Sequence, residues 1–232
     1  MSTTSKRGNI MKLTFLGTGA ADWCLALHKG VDGFRRNCST LIDDVLLVDP
    51  GPDVPDALAE FGKDKNAIKY IINTHKHPDH YNEDTLKYLS GAEFVEICEG
   101  ETVQIGKYTV TAFRANHSTE TVHFMIFDGE KRIFYGLDGG WLMFEEIEAI
   151  KENGVDLMLF DATVGDIPGD YRIFEHNNLS MIREMKSSLD SYMKRVIITH
   201  MARTLHTSHG ELCENMAKSG VEVAFDGFET EV

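Results

Sequence analysis

The chain has 232 residues, 42% of them apolar and 26% charged, which suits a domain with a substantial core and excludes a disordered or fibrous chain. With 23 basic against 37 acidic side chains the formal charge is −14, so the surface repels polyanions and a large nucleic-acid partner is not expected. No stretch has the apolar length of a membrane span, and four scattered cysteines without a C-x-x-C pair read as thiols of a reducing compartment, so no membrane partner and a cytoplasmic location are expected.

Residues 1–10 are expected to be a flexible extension of a single domain covering 1–232, too polar for a signal peptide. Leu13 to Leu16 reads as a strand leading into the tight turn Gly17-Thr18-Gly19, which lacks the rest of a P-loop. Thr40 to Asp49 reads as a hairpin turning at Asp43-Asp44 and stopped by Pro50-Gly51-Pro52. Asp53 can cap a helix running to about Phe61, with Gly62 at its end. Tyr70 to Thr74 is a strand, and Glu83 to Leu89 a helix. Phe94–Ile97, Tyr108–Phe113, Val122–Phe127 and Arg132–Gly136 read as a mostly antiparallel set, with Asp128-Gly129 a hairpin turn. Helices at Leu142–Lys151, Leu179–Tyr192 and Gly210–Lys218 then alternate with strands at Asp156–Phe160, Arg195–Thr199 and Val221–Phe225. Two β-rich segments interleaved with helices, without a linker between them, predict an α+β fold of two mixed sheets face to face with helices outside.

The densest chemistry is His75-Lys76-His77-Pro78-Asp79-His80, three imidazoles and a carboxylate in six residues after an apolar run. Imidazole nitrogen and carboxylate oxygen are ligands for zinc, manganese or iron, and strand alternation would send His75 and His77 the same way. Pro78 ends the strand and turns Asp79 and His80 toward a second position.

With that run, the chain resembles the metallo-β-lactamase superfamily, an αβ/βα sandwich of binuclear hydrolases. The motifs follow in order: Asp49 in Leu46-Leu-Val-Asp-Pro-Gly51, the H-x-H-x-D-H run, His117 in Asn-His-Ser, Asp138 in Gly-Leu-Asp-Gly-Gly, and His200 in Ile-Ile-Thr-His. Asp49, His75, His117, Asp138 and His200 each follow an apolar run, where α/β sheets open a crevice for ligands. The resemblance implies two divalent ions, zinc or manganese with iron also compatible. His75, His77 and His117 would hold one, Asp79, His80 and His200 the other, with Asp138 bridging and Asp49 supporting from behind. Two such ions share a water, lower its pKa toward about 7 and leave no need for a serine or cysteine nucleophile. Asp79 and His176 are the candidate catalytic residues.

Within the superfamily the chain is most similar to the phosphodiesterase branch, especially the enzyme of phosphonate degradation that opens cyclic ribose phosphates. That similarity rests on Phe15-Leu-Gly-Thr-Gly19, Asn37-Cys-Ser-Thr40, Glu175-His-Asn-Asn-Leu179, Ile197-Ile-Thr-His200 and the ending Val221 to Phe228. It implies a small phosphodiester substrate and gives His176 the role of protonating the leaving alkoxide. That enzyme's cysteine-rich zinc site has no counterpart, since only Cys24 lies in the region, so no third metal is expected. Arg35 and Arg36 are read either as phosphate contacts or as a solvated loop pair. His206 and His209 are read either as lining the pocket or, in preference, as capping and solvating a turn, His123 as structural, and His28 as uninformative. Rival readings are a tRNA 3′-processing nuclease, a thioester, lactone or β-lactam hydrolase, and an iron-dependent dioxygenase; a homodimer stays open.

Overall fold

The structure, a computed structural model, describes residues 10–232, so all but the last residue of the expected N-terminal extension lies outside the described residues. In chain order its elements begin with β1 (Lys12–Gly17), α1 (Leu25–His28), β2 (Ser39–Ile42), β3 (Leu46–Val48), α2 (Val54–Glu60), β4 (Tyr70–Ile72), α3 (Glu83–Tyr88), β5 (Glu93–Phe94) and β6 (Thr102–Ile105). They continue with β7 (Tyr108–Arg114), β8 (Val122–Phe127), β9 (Arg132–Gly136), α4 (Phe144–Asn153), β10 (Val155–Asp161), α5 (Leu179–Leu189), β11 (Met193–Thr199), α6 (His209–Ala217), β12 (Glu222–Val223) and β13 (Glu229–Glu231). A six-stranded sheet in the order β13-β1-β2-β3-β4-β5 faces a seven-stranded one in the order β12-β11-β10-β9-β8-β7-β6. Both are mixed, as expected. The second sheet is antiparallel from β6 to β9 and parallel from β9 to β12.

Side-chain alternation builds the layers. In β10, Leu157 and Leu159 join the core between the sheets with Leu13, Phe15, Val48 and Phe124. Met158 and Phe160 point to the other face and pack with Ile150, Ile182, Met185 and Leu212 from α4, α5 and α6. On the outer face of the first sheet, Leu47 and Ile71 meet Ala57 and Leu58 of α2. The result is the four-layer αβ/βα sandwich.

The hairpin turn is where the sequence places it, with φ of 51° at Asp43 and 57° at Asp44, the left-handed pair that a two-residue turn requires. Asp43 holds it by accepting from Lys12 N at 2.7 Å and from the Tyr108 hydroxyl at 2.7 Å.

Four assignments change. The strand read at Phe94–Ile97 is only β5, and it pairs parallel with β4 at the edge of the first sheet, outside the antiparallel set. The strand missing from that set is β6, whose exposed polar positions Thr102 and Gln104 mask its pattern. β13 was not expected either; its Glu-Thr-Glu sequence has no apolar signal, and pairing with β1 decides it. The last turn of the helix expected to reach Tyr192 tightens into a 3-10 turn at Asp190–Tyr192.

Candidate metal centre

The candidate residues collect at the carboxyl ends of the strands. β3 delivers Asp49, β4 the 75–80 loop, β7 His117, β9 Asp138, and β11 His200. Three of them turn through the left-handed region, with φ of 63° at Asp49, 58° at Asp138 and 60° at His200. Such non-glycine backbone costs about 1–3 kcal/mol per residue and persists where neighbours over-determine it. Here Asp49 N is held by Ile72 O at 3.0 Å, and Met201 N, just after His200, by Thr18 O at 2.9 Å.

β4 ends at Ile72, so strand alternation does not aim His75 and His77. A single turn does: His80 N and Tyr81 N both donate to His77 O, at 3.0 and 2.9 Å, and the His75 and His77 rings lie 4.6 Å apart. The loop rests on Gly51, where a Cβ would stand 2.3 Å from Asp79 O.

Candidate ligand atoms of His75, His77, His117 and Asp138 lie within 4.8 Å of one another, and so do those of Asp79, His80, Asp138 and His200. Asp138 belongs to both groups. Its Oδ1 is 3.1 Å from His200 Nε2, its Oδ2 3.4 Å from His75 Nε2. His75 Nε2 and Asp138 Oδ1 are buried without a hydrogen-bond partner. Buried polar atoms rarely stay unsatisfied, and cations accepted by a nitrogen-and-oxygen set of this kind would satisfy both. The residues therefore fit a pair of divalent ions.

Asp49 stands behind the cluster. Its Oδ1 accepts from Thr74 N at 2.7 Å and Thr74 Oγ1 at 2.9 Å, while Oδ2 lies 3.0 Å from His80 Nδ1. With both oxygens committed, it orients His80 so that Nε2 faces the centre. Asp49→Ala is expected to weaken metal affinity about 10–100-fold, measured by competition with a chelating dye, with the fold intact by circular dichroism.

The electrostatics divide the imidazoles. Burial, aided by the neighbouring His80, depresses the pKa of His75 to about 2, which keeps it neutral and ready to donate a lone pair. Burial opposes charge on His80 and His200 as well, but the surrounding carboxylates together outweigh it, Asp138 with Asp79 and Asp49 at His80, and Asp138 with Asp161 and Asp79 at His200, lifting His200 to about 10. Burial works against the Asp138 carboxylate too, yet the facing His200 and His80 hold it ionised, well below the usual range. Cation binding would displace the protons of His80 and His200.

His176 adjoins the cluster, its ring 5.0 Å from that of His117 and 5.7 Å from that of His200. Its side chain keeps 14% exposure, whereas those of His75 and His80 have none. Nδ1 is engaged by Asp161 Oδ2 at 2.6 Å. Burial disfavours the imidazolium, but Asp161 prevails and raises the His176 pKa. Asp161 was missed in the sequence, although Leu157-Met-Leu-Phe-Asp161 has the same form as the runs ending in Asp49 and Asp138. Its other oxygen accepts from Thr163 N at 2.7 Å and Thr163 Oγ1 at 2.6 Å, and that hydroxyl lies 2.7 Å from His200 Nδ1. One carboxylate thus orients both His176 and His200.

The remaining candidates fall elsewhere. His123 is structural, its Nδ1 2.6 Å from Glu146 Oε1 in the core, and His28 accepts from Cys24 N at 2.9 Å within α1. His206 does not solvate its turn; Nε2 reaches the backbone of Ala162 at 2.7 Å. His209 is the first residue of α6, whose cap is Ser208. Neither arginine is a solvated loop residue, Arg35 being 8% and Arg36 2% exposed. Arg36 is buried, with Nη2 2.6 Å from both Asp56 and Glu60 and its backbone N donating to Asp226 at 2.7 Å. Arg36→Ala removes the guanidinium that ties Asp56, Glu60 and Asp226 together, and is expected to destabilise the fold by about 1–2 kcal/mol in urea unfolding.

Residues 33–82, spanning Asp49 and the 75–80 loop, match the family model of the metallo-β-lactamase superfamily. A UPF0173 protein of Pyrococcus abyssi is 31% identical over 109 residues, 38% of this chain, and the match spans 49% of that relative's length. The fold is that of the metallo-β-lactamase fold protein YhfI from Bacillus subtilis, with a TM-score of 0.75 at 16% identity over 97% of this chain and 100% of that one. It is also that of a diphosphatase from the PhnP family, with a TM-score of 0.74 at 20% identity over 96% of this chain and 98% of that one.

Proposed function

We propose that the chain is a hydrolase of the metallo-β-lactamase superfamily, a metal-dependent phosphodiesterase acting on a small cyclic or nucleotide-like phosphodiester. His75, His77 and His117 would hold one divalent ion, Asp79, His80 and His200 the other, with Asp138 between them. Ions so placed polarise a phosphoryl group and supply hydroxide near neutral pH.

The observation that carries the phosphodiester reading is the His176–Asp161 pair. With Nδ1 fixed on Asp161 at 2.6 Å and its pKa raised by that carboxylate, the largely buried imidazole stands beside the cluster to give a proton from Nε2 to a departing alkoxide. An alkoxide needs that proton more than a thiolate does, which favours phosphodiesters over thioesters. The deep, largely closed positions of His75, His80 and His200 suit a small substrate, and the formal charge of −14 disfavours tRNA. The fold shared with the PhnP-family diphosphatase agrees with phosphoryl chemistry.

The test is hydrolysis of bis-p-nitrophenyl phosphate and of 2′,3′-cyclic nucleotides against acyl esters, thioesters and a tRNA precursor, after loading with zinc or manganese. Turnover confined to the esters, thioesters or tRNA rejects the reading.

A further inference from the structure

Given His200 as a ligand of the metal pair, the reading on which this rests, we propose that His206 is a positioning residue of the metal centre. By holding the carbonyls of Ala162 and Thr163 it seats the Thr163 hydroxyl against His200, and so sets the direction in which that imidazole meets an ion.

His206 Nε2 donates to Ala162 O at 2.7 Å and to Thr163 O at 3.2 Å. Burial pushes its pKa below the ordinary value, so the ring is neutral and carries one proton, and the two facing carbonyls place that proton on Nε2. Nδ1 is buried with no hydrogen-bond partner, so the polar contacts of this ring all go to one stretch of backbone.

What that stretch carries is Thr163. Its hydroxyl donates to Asp161 Oδ1 at 2.6 Å, which uses its only proton, and therefore meets His200 Nδ1 at 2.7 Å as an acceptor. With Nδ1 engaged as a donor, His200 turns Nε2 toward the centre, 3.1 Å from Asp138 Oδ1. Thr163 sits on the loop after β10 rather than on a strand, so its placement depends on what grips that loop. Ala162 N is tied to Thr199 O at 2.9 Å and Val164 N to Asn177 O at 3.1 Å, which fixes the N–H groups on either side. The carbonyls of Ala162 and Thr163 are gripped by His206, with a long 3.4 Å bond from Ala202 N to Thr163 O beside it. Gly165 lets this clamp close: a Cβ there would collide with Leu205 O, so the backbone just before His206 lies directly on the loop.

The test is zinc affinity, by competition with a chelating dye, across a double-mutant cycle of His206→Leu and Thr163→Val, with His206→Gln alongside and each fold checked by circular dichroism. His206→Leu is expected to weaken one of the two ions about tenfold or more; His206→Gln, whose amide keeps a donor, should restore most of the loss, and His206→Leu should add little in the Thr163→Val background. In cobalt-loaded protein the visible absorption should shift in His206→Leu and not in His206→Gln. If His206→Leu does not fold, Gly165→Ala, which forces the clamp open with His206 in place, takes its position in the cycle with the same expectation. Wild-type affinity in the opened variant, equal losses in the Leu and Gln variants, or full additivity with Thr163→Val overturns the inference. Wild-type protein that takes up no zinc rejects the metal centre itself, whereas two bound ions with unchanged affinity in His206→Leu reject only the role of His206. None of these readouts needs hydrolysis, so failure of the phosphodiesterase reading shows separately.

Discussion

His77→Ala and Asp138→Ala proteins are each expected to lose bound metal and, with it, hydrolysis to below detection. Asp138 is the side chain shared by the two donor groups, within 4.8 Å of candidate atoms on either side. Its removal leaves His80 and His200 facing one another at 3.1 Å without the carboxylate that offsets their charge. The consequence should be fewer ions by plasma mass spectrometry, because both donor groups lose the oxygen ligand they share. His77 is less buried, so His77→Ala should keep the folded baseline while emptying the position it shares with His75 and His117. Full phosphodiester turnover by Asp138→Ala would contradict the assignment outright.

His176→Ala should behave differently. Metal content is expected to stay at the wild-type level: His176 lies within ligand distance of Asp138 and His200, but the His75, His77, His117, Asp138 and Asp79, His80, Asp138, His200 groups are complete without it. The rate falls about 10²–10⁴-fold for substrates with alkoxide leaving groups and little for p-nitrophenolate, which departs without a proton. The sign of the pH effect follows from Asp161. By raising the His176 pKa it keeps the acid protonated to higher pH, so activity is lost only as pH rises through that raised value. Asp161→Asn should therefore move the alkaline limb of kcat/KM to lower pH. An unmoved limb, or equal loss on both leaving groups, would make His176 a structural residue.

The outline of the fold was legible because its strongest elements obey simple periodicities. The runs ending at Val48, Ile72, Gly136 and Thr199 are apolar on both faces, as strands between two layers must be, and strands form there, β4 stopping two residues short of the expected Thr74. Edge strands were not legible. β5, β6 and β13 bury too little apolar surface to leave a pattern, and hydrogen-bond partners far away in sequence determine them.

At the centre, the sequence by itself determined which residue types are available: a dense imidazole and carboxylate run, followed by His117, Asp138 and His200, each after an apolar stretch. Only the tertiary structure decided their company. It gave Asp161 to His176, committed Asp49 to Thr74 and His80, and withdrew Arg36 into a carboxylate cluster. The reason is that a donor's chemistry is local, whereas its charge partner, its burial and its direction depend on which strand ends the two sheets bring together.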